Sequence, residues 1–301
     1  MKAMSAILVA LSATAALAAA PVRPPMASVS HLSVYTSDAA RTEHFYVHDL
    51  GAVKLPDPEN LAGVRYHFSP TQFVEVLPLP ADAGPDRMDH FAFNTGDVEA
   101  MRKYLAFKKV AVAKKVSKGA DGSQWIDVKD PEGNHVQFVQ PPAPLPAIAT
   151  DALFPHIIHV GAIVHDRALE DTFYRDILGF RPYWFGGAKD DAPPQWVSQQ
   201  VPDGPDWLEY MVTANPSLTQ AQRGVLNHVA LGVPNIEAAY TALWNGDRLG
   251  GHAPNTVPKI GRDAKWQLNL LDPDGTRAEV MELHAIGTPC CSPFTAADPE
   301  K

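Results

Sequence analysis

The sequence has little that could build a disulfide framework or bind a polyanion. Its 301 residues include two cysteines, Cys290 and Cys291, which are adjacent and near the C-terminus. Neighbouring cysteines cannot cross-link a fold; they could form a vicinal disulfide, and the plainer interpretation is a surface tail without a role. Positive charge is also scarce, because 25 Lys and Arg residues face 34 Asp and Glu residues. The net charge of −9 therefore argues against nucleic-acid and membrane partners.

Long hydrophobic runs are absent except at the N-terminus. There Lys2 precedes an apolar stretch over residues 6–17, and an Ala-x-Ala pattern ends at Ala18. This arrangement is typical of a secretory signal peptide and is too short to span a membrane. We therefore predict a cleaved signal peptide over residues 1–19 and a periplasmic or secreted protein; a buried N-terminal helix is the alternative.

Four segments of the chain begin alike, each with a histidine followed by a strand-like run and a polar turn. They read HLSVYTSD, HFAFNTGD, HVGAIVHD and HVALGVPN, and they begin at His31, His90, His159 and His228. The spacings between the histidines are 59, 69 and 69 residues. Such a repeat predicts four copies of one structural unit.

The four units alternate between two types. The first and third continue with Phe-Tyr and end in Leu-Gly, where Gly51 and Gly179 suit the left-handed position after a helix. The second and fourth begin a helix after Asp97 and Asn235, which are good N-caps, and later contain a DPEG or DPDG turn before a strand. Each unit therefore predicts a strand, a helix and then several strands in hairpins.

Two pairs of units predict two tandem domains of one design. A proline-rich stretch between them fits a linker. The predicted segments are a signal peptide over residues 1–19, domains over residues 28–142 and 154–286, a linker over residues 143–153, and a tail over residues 287–301. The last ten residues are expected to be disordered.

Each unit also places an acidic or amide side chain in its final apolar strand, namely Glu75, Gln137, Glu209 and Glu279. A carboxylate in such a strand is costly to bury unless it is paired or binds a metal ion. Histidines and carboxylates together suit Fe, Zn, Ni, Co or Mn. The predicted metal ligands are His159, Glu209, His228 and Glu279, and a second candidate site comprises His31, Glu75, His90 and Gln137. A single strand histidine is usually a core residue, but repetition in register favours ligands.

These residues resemble the vicinal oxygen chelate superfamily, which includes glyoxalases, bleomycin resistance proteins and extradiol dioxygenases. The resemblance covers about residues 28–286 and implies an α+β fold in which four βαβββ modules pair into two cupped, barrel-like mixed sheets. His159, Glu209, His228 and Glu279 are similar to the His-Glu-His-Glu set of bacterial-type glyoxalase I. The DPDG turn with a glutamate four residues after its glycine is the most specific local match.

The resemblance implies chemistry in which a divalent metal chelates two neighbouring oxygens of a small substrate and stabilises an enediolate. We expect an isomerase, epimerase or lyase acting next to a carbonyl, with Glu279 or Glu209 as the catalytic base. One alternative is an Fe(II) extradiol-type dioxygenase that uses His159, His228 and Glu279. Against it, Glu209 lies where those enzymes carry an additional histidine, and a tyrosine counterpart near Asn269 is lacking. A metal-free binding protein is the third hypothesis.

The stretch GRDAKWQLNLLD supplies a weaker prediction. Arg262 and Trp266 could line the mouth of the cup and bind the substrate. The competing interpretation is a solvated loop that Trp266 covers. A tandem chain can close both cups by itself, so we expect a monomer or a homodimer.

Overall fold

The structure of this chain is a computed structural model, and it describes residues 19–148, 153–252 and 256–300. The predicted signal peptide, except for its last residue, and the middle of the predicted linker lie outside these residues. Among the described residues, no helix has the length and apolarity to cross a lipid bilayer.

The N-terminal domain contains two βαβββ modules. In chain order their elements are β1 Met26–Thr36, α1 Ala39–Glu43, a π-helical continuation His44–Asp49, β2 Val53–Pro56, β3 Val64–Ser69, β4 Gln72–Pro78, β5 Met88–Thr95, α2 Val98–Phe107, β6 Ser117–Lys118, β7 Gln124–Lys129 and β8 His135–Gln140. The strand order in the sheet is β2-β3-β4-β1-β5-β8-β7-β6.

The C-terminal domain repeats this plan with one addition. Its elements are β9 Ile157–Val164, α3 Arg167–Tyr174, β10 Arg181–Gly186, β11 Trp196–Gln200, β12 Trp207–Val212, α4 Gln220–Leu226, β13 His228–Val233, α5 Ile236–Asn245, β14 Lys259–Ile260, β15 Trp266–Leu271 and β16 Arg277–Glu282. The strand order β10-β11-β12-β9-β13-β16-β15-β14 matches the first sheet position by position. The predicted α+β fold of paired βαβββ modules is confirmed.

Local sequence signals account for most helix ends. The side chains of Asp97 and Asn235 accept hydrogen bonds from the third residues of α2 and α5, as N-caps do. Gly51 and Gly179 have φ values of +74° and +82°, which glycine adopts at little cost. Helix α4 was not predicted, although Thr219 and the glutamine three residues later form a complete capping box.

The two domains pack through the central strands β1 and β9 and share one continuous core. A pair of reciprocal contacts reinforces the interface: Gln72 Nε2 donates to the Ile157 carbonyl at 2.8 Å, and Ile157 N donates to Gln72 Oε1 at 3.1 Å. Across the interface, Tyr46 donates to Asp272 in a DPDG turn. These contacts hold the two sheets in a fixed relation, with one cup in each domain.

Candidate functional site

The C-terminal cup collects four side chains, one from each of the adjacent strands β9, β12, β13 and β16. We call His159, Glu209, His228 and Glu279 the C-terminal cluster. The Nε2 atoms of the two histidines lie 3.0 Å apart. Glu279 Oε2 lies 3.4 and 3.7 Å from the Nε2 atoms of His228 and His159, and the corresponding distances for Glu209 Oε2 are 3.5 and 3.9 Å. The structure thus brings all four predicted ligands together.

The orientation of His228 fits a metal ligand. Its Nδ1 hydrogen-bonds the Leu226 carbonyl at 2.8 Å, so Nδ1 carries the proton and Nε2 presents a lone pair to the cluster. Gly161, on the neighbouring strand, makes room for the ring. A Cβ atom on Gly161 would lie 2.0 Å from His228 Cε1. Position 161 therefore requires a residue without a side chain, because the His228 imidazole fills that space.

Both imidazoles are held in their neutral form. Burial lowers the pKa of His159 well below its ordinary value, and the proximity of His228 lowers it further. Burial also lowers the pKa of His228, with a further contribution from the Arg277 guanidinium. The His159 ring packs against Trp207 with ring centroids 4.6 Å apart, which fixes its plane. Neutral, oriented imidazoles are the form that binds a metal ion.

The two carboxylates of the cluster differ in their electrostatic surroundings. Burial raises the pKa of Glu209 to about 8, and the charge of Glu279 adds to the effect. Burial opposes ionisation of Glu279 as well, but Arg277 and His228 outweigh it and hold its pKa below the usual range. Glu279 is therefore ionised, while Glu209 takes up and releases a proton more readily near neutral pH.

Arg277 is a site residue that the sequence analysis missed. It lies two residues before Glu279 on β16, so period-two alternation places both side chains on the inner face. Its Nη2 donates a hydrogen bond to His228 Nε2 at 2.9 Å, and its Nη1 lies 3.5 Å from Glu279 Oε2. A metal ion bound to His228 would replace the first of these contacts. The available signal was this alternation, because Arg277 and Glu279 both follow the DPDG turn in one strand-like run.

An inner cavity of about 390 Å³ opens onto the cluster and is lined by Glu209, Glu279, Arg277 and Arg262, among others. Glu209 is the member of the cluster with the more accessible carboxylate, since its side chain is 11% exposed against 2% for Glu279. A cavity of this size accommodates a small metabolite.

Arg262 and Trp266 occupy different surroundings. Arg262 lines the inner cavity and is anchored by Asp190 and the Gly187 carbonyl. Trp266 does not line it; it packs against the main hydrophobic core. Alternation along β15 explains this, because Gln267 faces the cavity and its neighbour Trp266 faces the other side. Arg262 is therefore the better placed of the two predicted substrate-binding residues.

We call residues 290–298 the C-terminal segment; its contacts show that the expectation of a disordered end is wrong for residues 292–298. The alternative of a solvated loop, offered for GRDAKWQLNLLD, is wrong at Lys265. Lys265 is fully buried and donates to Asp298 at 2.6 Å, while Phe294 packs against Tyr183. A buried ammonium needs an anionic partner, and the segment supplies it. The sulfurs of Cys290 and Cys291 are bonded to each other. Arg262 donates to Cys290 Sγ, so the segment borders the cavity.

The N-terminal cup brings together three of its four predicted ligands. We call His31, Glu75 and His90 the N-terminal cluster. Nε2 of His31 lies 2.8 Å from Nε2 of His90, which lies 3.8 Å from Glu75 Oε2. Gln137 donates instead to Glu59 and Asp127.

The surroundings of Glu75 differ from those of its counterpart Glu209. Ser33 occupies the place that Gly161 has in the other domain, and its hydroxyl donates to Glu75 Oε2 at 2.6 Å. The guanidinium of Arg65 lies 3.5 Å from the other oxygen of Glu75. One carboxylate oxygen therefore has a hydrogen bond, and the other has an ion-pair contact without a hydrogen bond. The charge that a metal ion would supply is already provided by Arg65, so the N-terminal cluster fits a metal ion less well.

Comparisons with known proteins agree with this architecture. Residues 28–138 match the model of the Glyoxalase/Bleomycin resistance protein/Dioxygenase superfamily. No curated protein matches the sequence.

Three solved structures illustrate the similarity over both domains. A variant of homoprotocatechuate 2,3-dioxygenase from Brevibacterium fuscum is 19% identical, with 93% of this chain and 75% of that chain covered and a TM-score of 0.65. The Arthrobacter globiformis homoprotocatechuate 2,3-dioxygenase is 17% identical, with 86% of this chain and 80% of that chain covered and a TM-score of 0.64. The 2,3-dioxygenase LapB from Pseudomonas sp. KL28 is 14% identical, with 87% of this chain and 93% of that chain covered and a TM-score of 0.63. Similarity at this level of identity establishes the fold.

Proposed function

Since the N-terminal domain belongs to the glyoxalase/bleomycin resistance protein/dioxygenase superfamily and the whole chain has the vicinal oxygen chelate fold, we propose that it is a metal-dependent enzyme. Its chemistry is that of an isomerase, epimerase or lyase acting next to a carbonyl of a small oxygenated substrate. The observation that carries the proposal is the convergence of His159, Glu209, His228 and Glu279 from four strands, with both glutamates lining one cavity.

The four residues of the C-terminal cluster would hold a divalent ion such as Fe, Zn, Ni, Co or Mn. When bound there, such an ion would supply Lewis acidity to the substrate oxygens and so make the carbon next to the carbonyl more acidic. Glu279 stays ionised beside Arg277 and serves as a permanent ligand. Glu209 faces the cavity with the more accessible carboxylate and removes the proton from the carbon next to the carbonyl.

Proton removal can be measured without knowing the substrate. Metal-loaded protein is incubated in D2O with a panel of small hydroxy ketones and sugar derivatives, and exchange at the carbon next to the carbonyl is followed by NMR. We expect Glu209→Gln to abolish exchange while zinc still binds, and Glu279→Gln to weaken zinc binding as well. Glu75→Gln, in the equivalent strand of the N-terminal domain, is the matched control and should exchange at the wild-type rate. Undiminished exchange in Glu209→Gln would contradict the assignment.

A second candidate function is an Fe(II) extradiol-type dioxygenase. His159, His228 and Glu279 offer ligand atoms within 4.8 Å of one another, which suits a facial triad. Against it, Glu209 stands beside the same atoms, and Asn269, opposite Glu279 in the sheet, bonds Arg277. The test is oxygen uptake with catechols after anaerobic loading with Fe(II). Uptake would replace the isomerase, epimerase or lyase proposal with the dioxygenase, and absence of uptake would reject the dioxygenase.

We also propose that the protein is exported. The support is the charged, apolar and small-residue pattern of residues 1–19. N-terminal sequencing of the protein from a periplasmic extract should begin near residue 19. A start at Met1 in the cytoplasmic fraction would reject export.

A further inference from the structure

A second group of metal-binding side chains lies outside both cups. The π-helical stretch His44–Asp49 carries His44, His48 and Asp49 on one side of the helix. Their ligand atoms lie within 4.8 Å of one another. His252, from the loop that follows α5 in the other domain, reaches the same carboxylate. We call these four residues the interdomain cluster.

The distances among His44, His48 and Asp49 are close to those of a coordination shell, and His252 contacts the other oxygen of the same carboxylate. Metal–ligand bonds of about 2.0–2.1 Å in a tetrahedral site place neighbouring ligand atoms about 3.3 Å apart. His44 Nε2 lies 3.6 Å from Asp49 Oδ1, and His252 Nε2 lies 3.5 Å from Asp49 Oδ2. His48 Nδ1 hydrogen-bonds Asp49 Oδ1 at 2.7 Å, and this separation would lengthen by about 0.6 Å around an ion.

His252 provides independent support for a ligand at this place. Its side chain is 5% exposed, and its Nε2 atom is buried without a hydrogen-bond partner. The ring is held edge-on against Phe45, with centroids 5.6 Å apart, so that Nε2 points toward Asp49. A buried imidazole nitrogen without a partner costs stability, and a bound cation would satisfy it.

Comparison of the duplicated modules shows that the fold does not require these side chains. The third module has the same Phe-Tyr and Leu-Gly framework, but Thr172, Asp176 and Ile177 stand where the first module has His44, His48 and Asp49. Helix α3 of the third module forms without these side chains and ends at Tyr174, ahead of Asp176 and Ile177. The histidines are therefore an addition to the first module and not part of its packing.

The cluster lies beside a second cavity of about 700 Å³ between the domains. His44, Asp49 and His252 line one part of it, and Lys259 and Arg277 line another. Lys259 and Arg277 also line the inner cavity at the C-terminal cluster. The two cavities are thus neighbours that share lining residues, and the interdomain cluster lines the larger one.

From these observations we propose that His44, His48 and Asp49 bind a divalent transition-metal ion of the zinc class, and that His252 of the C-terminal domain is a supporting partner at the Asp49 carboxylate. The site is separate from the C-terminal cluster and does not depend on the proposed function. The bound ion ties the first helix of the N-terminal domain to the C-terminal domain. The exposed sides of His44 and His48 provide an entry path for the ion.

The test is a zinc titration of protein without a polyhistidine tag, followed by calorimetry and by a count of zinc per chain. We expect the His44→Ala/His48→Ala double variant to bind one zinc fewer than the wild type. His252→Ala should retain this site with an affinity lowered about 10–100-fold, as for loss of a supporting partner. His165→Ala, an exposed histidine outside the candidate clusters, is the matched control and should lose none.

Folding is checked separately by thermal unfolding without zinc, where the double variant should melt close to the wild type because both side chains are exposed. Zinc should raise the melting temperature of the wild type more than that of the double variant. An unchanged zinc count and affinity in the double variant would overturn the proposal. His228→Ala should lose a different zinc ion, the one bound at the C-terminal cluster. If His228→Ala loses no zinc while the double variant loses one, the proposed function fails and the interdomain site stands.

Discussion

Replacement of Gly161 by alanine should remove metal binding from the C-terminal cluster. Gly161 lies opposite His228 in the antiparallel pair of β9 and β13. A Cβ atom at this position would lie 2.0 Å from His228 Cε1 and 2.1 Å from His228 Nδ1. Non-bonded carbon atoms are normally separated by about 3.5–4.0 Å, so the imidazole must move by roughly 1.5 Å. The change is a single methyl group.

A displacement of this size is large for a metal ligand. Productive metal–nitrogen distances tolerate about 0.2 Å, so a shift of roughly 1.5 Å takes His228 Nε2 out of the coordination shell. We expect zinc affinity at this site to fall at least 100-fold, beyond the effect of losing an outer hydrogen-bond partner. Crowding in a packed strand should also cost about 1–3 kcal/mol of stability.

Calorimetric zinc titration and thermal unfolding would measure both effects. Gly232→Ala is the matched control, because its Cβ would meet side-chain methyl groups of Ile158 and Leu283 at 2.6 and 2.7 Å and has no His228 atom among its nearest neighbours. It should lose stability and keep zinc affinity. Wild-type affinity in Gly161→Ala would refute the reasoning that this glycine makes room for the ligand.

Three further predictions concern stability. Lys265→Met removes the cation that holds the C-terminal segment, so limited proteolysis should cut that segment faster than in wild type. Burial raises the pKa of Asp272 to about 7. The protonated carboxyl group therefore contributes stability below about pH 4, and this contribution is lost as the pH rises through 7. Asp272→Asn should flatten that part of the pH dependence of the free energy of unfolding, measured by urea unfolding. Gln72→Leu leaves the Ile157 backbone without its partners and should cost about 1–3 kcal/mol, measured in the same way.

The sequence predicts the fold well because the signals are repeated. A local pattern that one copy alone could not establish is repeated along the chain. It comprises four strand-like segments that begin with histidine, paired glycines after helices and paired DPxG turns. The same repetition identified all four members of the C-terminal cluster, since equivalent strands place their inward residues at equivalent depths. Helix α4 was missed because it lies in an insertion between modules and has no counterpart in the first domain.

What the sequence left open depends on contacts between distant residues. Alternation places Arg277 on the inner face, but the contacts of Arg277 and Gly161 with His228 follow from cross-strand packing, which spacing alone does not reveal. Lys265 resembles a solvated residue until the C-terminal segment is seen to cover it. Arg65 beside Glu75 likewise distinguishes the two cups, although their strand patterns are the same.

Anomalous diffraction from crystals of the zinc-loaded protein tests the central claim most directly. The account predicts a peak within bonding distance of His159 Nε2, His228 Nε2 and the carboxylates of Glu209 and Glu279, and loss of that peak in His228→Ala. Well-ordered crystals with zinc bound elsewhere and no peak at these four side chains would contradict it.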